Sequence, residues 1–198
     1  QNTVKDFDGT CRRIKDIKKL ASGTEFTYVG NATTTFSVYE DGILIQDYTG
    51  GILLKNAKLG DNGDVKVKSG MMISNIKGQY QRASGDVIAS IEIADADIEN
   101  IKILSEDCGF TCRSTDINVV QHFYNKYLVG EALMLCGAKI RENDGSYEIV
   151  FAYNDGVNDV EVKVPAVAKG AIDFSKKLVV GYARKFDGVV TFIMVSDE

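Results

Sequence analysis

Catalysis by side chains usually needs a nucleophile, a base and an acid or metal held together, and this sequence offers few such sets. Its one histidine, His122, lies in a segment that we predict to be helical. No nucleophile motif of the G-x-S-x-G kind accompanies it. We therefore interpret His122 as a structural helix residue, and we predict that the chain is not an enzyme and has no catalytic residues.

Three acidic residues, Asp95, Asp97 and Glu99, alternate along one segment. In an extended chain they would project to one side, where carboxylates bind a hard cation such as calcium. The glycine and the terminal glutamate of an EF-hand loop are missing at the required spacing. We interpret the segment as a solvated strand face and expect no metal and no other cofactor.

The four cysteines lack the paired C-x-x-C spacing of a zinc ribbon. Cys108 and Cys112 enclose three residues, so a small-loop disulfide between them in an oxidising compartment stays open as an alternative. Cys136 ends an apolar run, and we predict that it is buried as a small hydrophobic residue.

Aromatic and basic side chains on or beside the predicted strands are the better candidates for ligand binding. Aromatic rings on small β-barrels stack on bases or sugars, and basic groups contact phosphates. The candidate ligand-binding residues are Tyr39, Tyr48, Lys77, Tyr80, Arg82, Tyr153, Tyr182, Arg184 and Lys185. The alternating residues Phe26, Tyr28, Phe36, Phe151 and Phe192 are predicted to fill the interior.

Charge argues against generic binding of nucleic acids. The chain carries 23 basic and 28 acidic residues, a net charge of −5, whereas affinity for phosphates requires a basic surface. The only basic concentration is the segment 12–19, which we interpret as the solvated face of a short helix. No stretch approaches the roughly 18 apolar residues of a membrane-spanning helix.

Strand-forming segments separated by turn residues dominate the sequence, so we predict an all-β fold. Four turns are typical of hairpins, because Asn, Asp and Gly tolerate the positive φ that tight turns require. They lie at Asp41-Gly42, Asn143-Asp144-Gly145, Asn154-Asp155-Gly156 and Asp187-Gly188.

The same order of features occurs twice. A short helix at 14–20 precedes a strand at 25–29 that reaches Gly30, and a helix at 117–123 precedes a strand at 132–136 that reaches Gly137. Hairpins and a closing pair of strands follow in both halves. We predict two tandem five-stranded OB-fold-like β-barrels, each preceded or capped by a short helix, at 14–104 and 117–198, joined by 105–116.

The first half resembles OB-fold domains of exported bacterial proteins, often uncharacterised lipoproteins. The resemblance is carried by residues 23–30 and by the phrase Ile45-Gln46-Asp47-Tyr48-Thr49-Gly50-Gly51-Ile52, which joins the second and third strands of such domains. It implies a fold and an envelope location, and it carries no catalytic residues, because the phrase is a turn motif. The first residue, Gln1, fits an upstream segment, and we expect export to the periplasm or cell surface, with a lipid anchor upstream as an option; a cytoplasmic location stays open.

These observations favour a non-catalytic binding or interaction module of the bacterial envelope. Its partner would be a glycan, a peptide or another protein, bound by barrel faces and by the groove between the modules. The alternative is a single-stranded nucleic-acid-binding protein, because tandem OB folds commonly serve that role.

Overall fold

The structure is a computed structural model, and it describes residues 6–38, 42–56, 66–124, 128–173 and 178–195. The first half contains β1 (Thr10–Cys11), α1 (Ile14–Ile17), β2 (Glu25–Tyr28), β3 (Ala32–Val38), β4 (Gly42–Asp47), β5 (Gly50–Lys55), β6 (Met72–Ser74), β7 (Ile76–Gln81), β8 (Ser90–Glu92), α2 (Asp95–Ile98) and β9 (Lys102–Ser105). The second half contains β10 (Arg113–Thr115), α3 (Ile117–Phe123), β11 (Leu133–Leu135), β12 (Lys139–Asn143), β13 (Ser146–Asn154), β14 (Asp159–Lys169), β15 (Val179–Phe186) and β16 (Val189–Val195).

The strands form two sheets, which confirms the predicted all-β class. The first sheet has nine strands in the order β1-β2-β7-β8-β5-β4-β3-β6-β9, and the second has seven in the order β10-β11-β15-β16-β14-β13-β12. No helix in the described parts of the chain is long and apolar enough to cross a membrane.

The second sheet repeats the pairing order of the first. In each, a short edge strand runs parallel to the next strand, which pairs antiparallel with a closing hairpin, β7–β8 or β15–β16. The last hairpin strand then runs parallel to the third strand of a meander, β3-β4-β5 or β12-β13-β14. Strands β6 and β9 extend only the first sheet.

Each sheet has more strands than the predicted five, and in each half a glycine lies in the gap between the second and third strands. The break between β2 and β3 contains Gly30, where a Cβ would lie 2.3 Å from the Arg12 carbonyl oxygen. The break between β11 and β12 contains Gly137, which has a φ of +70°. Glycine allows the close approach at the first bend and the left-handed backbone at the second.

The predicted turns agree with the structure where it describes them. Asp144 and Gly145, and likewise Asp187 and Gly188, have positive φ and join antiparallel strands, as two-residue hairpins require. The loop containing Asn154 to Gly156 joins β13 to β14. In the predicted turn at Asp41-Gly42, Asp41 lies outside the described residues.

The two predicted helices are present, α3 with its predicted bounds and α1 with a shorter extent. The strand prediction for Asp95, Asp97 and Glu99 is wrong, because Asp95–Ile98 is helical and Glu99 is its C-cap. Carboxylates in the first turn are favoured by the positive end of the helix dipole. No group of potential metal ligands occurs within the described ranges.

One continuous hydrophobic core contains buried residues of both halves. Residues 42–45 and 50–54, in neighbouring strands β4 and β5, are all buried. Alternate side chains of a strand point to opposite faces, so both faces of this ribbon are covered. The two halves also meet within the core, where the Phe36 and Tyr182 rings lie with centroids 6.2 Å apart.

The interior prediction is confirmed for Phe26, Tyr28, Phe36 and Phe192, whereas Phe151 is partly exposed. The prediction that Cys136 is buried is wrong: it is exposed just after β11, beside the Ser114 hydroxyl. An apolar run that ends at the rim of a sheet leaves its last residue outside the core. Cys108 is a free, exposed thiol, so the structure contains no disulfide between it and Cys112.

Burial of Cys11 gives the fold a pH dependence. Burial, with the nearby carboxylates of Asp16 and Asp8, raises the pKa of the Cys11 thiol from 9.0 to about 11. Because the folded pKa exceeds the unfolded one, the stabilising contribution is complete below pH 9.0 and is lost as the pH rises to about 11.

We expect Cys11→Ala to flatten the alkaline loss of stability. The free energy of unfolding, measured by urea denaturation between about pH 8 and pH 11, should fall less steeply than in the wild type. The matched control is Cys108→Ala, which removes an exposed thiol. Parallel pH profiles of the wild type and Cys11→Ala would contradict the assignment.

Candidate functional site at the junction of the halves

The two halves approach backbone to backbone at Gly51 and Gly130. A Cβ on Gly51 would lie 2.1 Å from the carbonyl oxygen of Gly130, and a Cβ on Gly130 would lie 2.8 Å from the carbonyl carbon of Gly51. Both distances are below those of real contacts, and Gly130 also has a φ of +87°. The close approach therefore requires glycine on each side.

Gln46 joins the halves with both ends of its amide. Its Nε2 donates to the carbonyl oxygen of Thr111 at 2.7 Å, and its Oε1 accepts from the backbone nitrogen of Ala132 at 3.3 Å. Thr111 lies just before β10 and Ala132 just before β11, so one side chain links the starts of both strands to β4.

Asp47 organises the turn that follows β4. Its carboxylate accepts hydrogen bonds from the backbone nitrogen of Ile14 at 2.9 Å, the Tyr28 hydroxyl at 2.9 Å and the Thr49 backbone nitrogen at 2.7 Å. The Thr49 hydroxyl donates a fourth bond at 2.5 Å. The carboxylate thereby ties the start of α1, strand β2 and its own turn together, and its presence raises the pKa of the Tyr28 hydroxyl further above the level set by burial.

A partly buried polar cluster lies beside this turn. The Lys18 ammonium donates to the Val129 carbonyl oxygen at 3.0 Å. Burial lowers its pKa, and the carboxylates of Glu131 and Asp47 oppose that shift. Glu131 is 7% exposed and accepts from Arg113 at 3.2 Å. The interpretation of segment 12–19 as a solvated face is therefore wrong for Lys18, which lies against the second half.

The turn and the second half enclose a cleft of about 310 Å³, which we call the junction cleft. Its lining residues are Gln46, Asp47, Tyr48, Thr49, Gly50, Thr111, Cys112, Arg113 and Glu131. The Tyr48 residue is 88% exposed, and the Arg113 side chain is 59% exposed. The cleft thus combines an accessible aromatic ring with a partly exposed guanidinium group.

A second contact between the halves lies at the β15–β16 turn. The Asp86 carboxylate accepts from the backbone nitrogens of Asp187 at 2.8 Å and Gly188 at 3.0 Å. Phe186 and Val189 beside this turn are exposed, as is Val87. Contacts at two separate places hold the halves in one arrangement.

The structure distributes the predicted ligand-binding residues over several places. Tyr48 lines the junction cleft, whereas Lys77 lines a separate cavity in the first half. Tyr153 is 38% exposed and stacks on Phe151 with ring centroids 6.0 Å apart. Arg82 is exposed beyond the end of β7, and Tyr39 lies outside the described residues.

Two predicted contacts, Tyr80 and Tyr182, are core residues with exposures of 3% and 4%. Neither ring is available for stacking on a ligand, because each points to the apolar side of its strand. Arg184 and Lys185 follow Tyr182 and are half-buried. The Arg184 guanidinium lies 5.4 Å from the Phe186 ring centroid, and the Lys185 ammonium lies 5.8 Å from the Tyr124 ring centroid.

Sequence reasoning missed the residues that build the cleft around Tyr48. Gln46 and Asp47 belong to the phrase that we interpreted as a turn, and Arg113 and Glu131 had no motif. A signal was available in residues 46–51, which include a glutamine, an aspartate and two glycines. A hairpin turn alone does not require the glutamine or the second glycine, so these residues indicate contacts beyond the turn.

No protein-family model and no curated protein matches the chain. Among solved structures, it is similar to that of a murine DNA-binding protein bound to double-stranded DNA, with 10% identity, a TM-score of 0.37, and coverage of 87% of this chain and 94% of that one. It is also similar to a structure described as structural mimicry for functional antagonism, with 14% identity, a TM-score of 0.35, and coverage of 92% and 96%. Similarity at this level carries neither a fold assignment nor a ligand to this chain.

Proposed function

We propose that the chain is a non-catalytic binding protein made of two OB-like barrels that act as one unit. The repeated pairing order of the sheets supports the barrels, since an OB barrel has a bent first strand, a meander, and a parallel third and fifth strand. In this interpretation β2–β3 and β11–β12 are the bent first strands. Three contacts between the halves support the single unit. They are the close approach of Gly51 and Gly130, the hydrogen bond from Gln46 to Thr111, and the hydrogen bond from the Asp187 nitrogen to Asp86.

The observation that carries the proposal is the exposure of Tyr48 at a cleft formed by both halves. A tyrosine ring has a large apolar face that is usually at least partly buried, yet here 88% of the residue is exposed. Arg113 lines the same cleft; its Nη1 donates to Glu131, and 59% of its side chain is exposed. A sugar ring that stacks on Tyr48 and accepts hydrogen bonds from Arg113 fits this arrangement, so a glycan is the ligand class we propose.

Binding without catalysis is supported by how the ionisable groups of the cleft are used. The Asp47 carboxylate accepts four hydrogen bonds from groups of the surrounding fold. Glu131 accepts from Arg113 and interacts electrostatically with Lys18. Groups engaged in this way position the walls of the cleft. Location in the bacterial envelope is part of the proposal and is supported by the resemblance of residues 23–30 and 43–54 to domains of exported proteins; cell fractionation with an antibody against the chain tests it.

We expect Tyr48→Ala to weaken glycan binding by about 10-fold or more, because stacking on an aromatic ring contributes about 1–3 kcal/mol. The measurement is calorimetric titration with the glycan that binds best in an array screen. Because 88% of Tyr48 is exposed, the substitution should leave the free energy of unfolding within about 0.5 kcal/mol of the wild type.

The matched control is Tyr153→Ala, which removes another accessible tyrosine outside the cleft. Equal losses of affinity in the two variants, or no glycan bound at all, would contradict the proposal.

A second candidate, binding of single-stranded nucleic acid, is favoured by one feature. The β15–β16 turn combines exposed Phe186 with Arg184 and Lys185, and aromatic rings with basic groups are typical of such sites. Fluorescence anisotropy of labelled single-stranded DNA and RNA at low and moderate salt tests it. Salt-dependent binding that Phe186→Ala weakens would establish this function, and no binding at micromolar protein would remove it.

A further inference from the structure

A row of polar side chains crosses four strands of the first sheet. Lys55 of β5 is opposite Glu92 of β8, Glu92 is opposite Gln79 of β7, and Gln79 is opposite Glu25 of β2. Directly opposed residues lie on the same face of a sheet, and Lys77, two residues before Gln79, shares that face. We call Lys55, Glu92, Gln79, Glu25 and Lys77 the polar row.

The polar row lies in a cavity of about 600 Å³ that is separate from the junction cleft. Asn56, Asp97 and the segment that leads into α2 complete its lining. Asn56 donates to the Ile93 carbonyl oxygen at 2.6 Å and to Asp95 at 3.0 Å, which fastens this segment to the end of β5. The cavity is thus a fixed feature of the first half.

The charged groups of this cavity are not paired with one another. Lys55, Lys77, Glu25, Glu92 and Asp97 form no ion pair with any residue in the described part of the chain, although Lys55 and Glu92 are directly opposed. Opposed charges on neighbouring strands usually attract. Two ammonium groups and three carboxylates therefore keep their hydrogen-bonding capacity for solvent or for a ligand.

We infer that the polar row binds a polyhydroxylated chain, an oligosaccharide lying across the strands. Hydroxyl groups donate to carboxylates and accept from ammonium groups, so one ligand satisfies both signs. A polyanion would be repelled by the three carboxylates, and a polycation by the two lysines. The inference rests on the proposed glycan-binding function and adds a site of which Tyr48 is not a part.

The dimensions fit an elongated ligand. Neighbouring strands lie about 4.8 Å apart, so a row that spans three intervals is about 14 Å long. A single small polar molecule would contact only one or two members of the row. An oligosaccharide of several units would contact most of them at once.

The test is a titration of the ¹⁵N-labelled full chain with cellohexaose, mannohexaose and chitohexaose, followed by amide chemical shifts. We expect one of these sugars to shift the amides of Lys55, Gln79 and Glu92 together. We expect Lys77→Ala and Glu92→Ala each to lower the affinity for that sugar by about 10-fold, because each substitution removes a charged group that hydrogen-bonds to the sugar. The controls, Lys102→Ala and Glu142→Ala, remove exposed strand charges outside the cavity.

The outcomes separate this inference from the proposed function. Shifts confined to Tyr48, Thr49 and Arg113 would overturn the polar row as a site and would retain the proposed function. Shifts confined to the polar row, unchanged by Tyr48→Ala, would support the inference and remove the junction cleft as the glycan site. No shift with any of the three sugars would overturn the inference, while the array screen would still decide the proposed function.

Discussion

Replacing Gly130 by alanine is expected to lower the free energy of unfolding by about 3 kcal/mol. The φ of +87° at this position costs a residue with a Cβ about 1–2 kcal/mol. The Cβ would also lie 2.8 Å from the carbonyl carbon of Gly51, and overpacking of this kind costs about 1–3 kcal/mol. Urea denaturation monitored by tyrosine fluorescence and circular dichroism measures the change.

Gly9→Ala is the matched control for this substitution. Gly9 has a φ of +85°, close to that of Gly130, and no atom lies within 4 Å of the position its Cβ would take. Its loss of unfolding free energy therefore reports the backbone strain alone. The difference between the losses in the two variants is the contribution of the contact between Gly51 and Gly130. Equal destabilisation by both substitutions would show that the halves are not held together at Gly51 and Gly130.

Asp47→Ala is expected to lower the free energy of unfolding by a similar amount, about 3 kcal/mol or more. The substitution leaves the Ile14 nitrogen, the Tyr28 hydroxyl and the Thr49 nitrogen without their acceptor. Hydrogen bonds to a charged acceptor contribute about 1.5–3 kcal/mol each, and buried donors left without a partner carry a further penalty. Urea denaturation of the variant measures the loss.

Tyr28→Phe separates one of these bonds from the rest. Tyr28 is fully buried, and the substitution removes only its hydroxyl, so about 1–2 kcal/mol should be lost. A loss in Asp47→Ala no larger than that in Tyr28→Phe would mean that Asp47 holds the tyrosine alone and does not organise the turn.

Local physics explains which parts of the fold the sequence predicts. The alternation of apolar residues identifies most strands. The Asp-Gly pairs identify turns, because Asp and Gly adopt the positive φ that tight turns require more readily than other residues do. Asp116 likewise marks the start of α3, where its side chain accepts from the Val119 nitrogen at 3.0 Å. These signals depend only on neighbours in the chain.

The candidate site depends on contacts between distant segments, and these have no local signal. The sequence places Tyr80 and Tyr182 on strands, but a choice between the two faces needs the partner strand, and both rings turn out to be buried. Arg113 and Glu131 meet only because β10 pairs with β11. The burial of successive residues along β4 and β5 depends on the elements that pack on both faces, and no periodicity within these strands encodes them.

Both halves together form the proposed binding site at the junction cleft. Hydrogen exchange of the full chain with and without the glycan selected by the array screen tests it most directly. We expect slower exchange in two segments at once, Tyr48 to Gly50 and Thr111 to Arg113. In the Tyr48→Ala variant, the same glycan concentration should slow the exchange of neither segment. Protection of only one of these segments, or of neither while the glycan is bound, would contradict it.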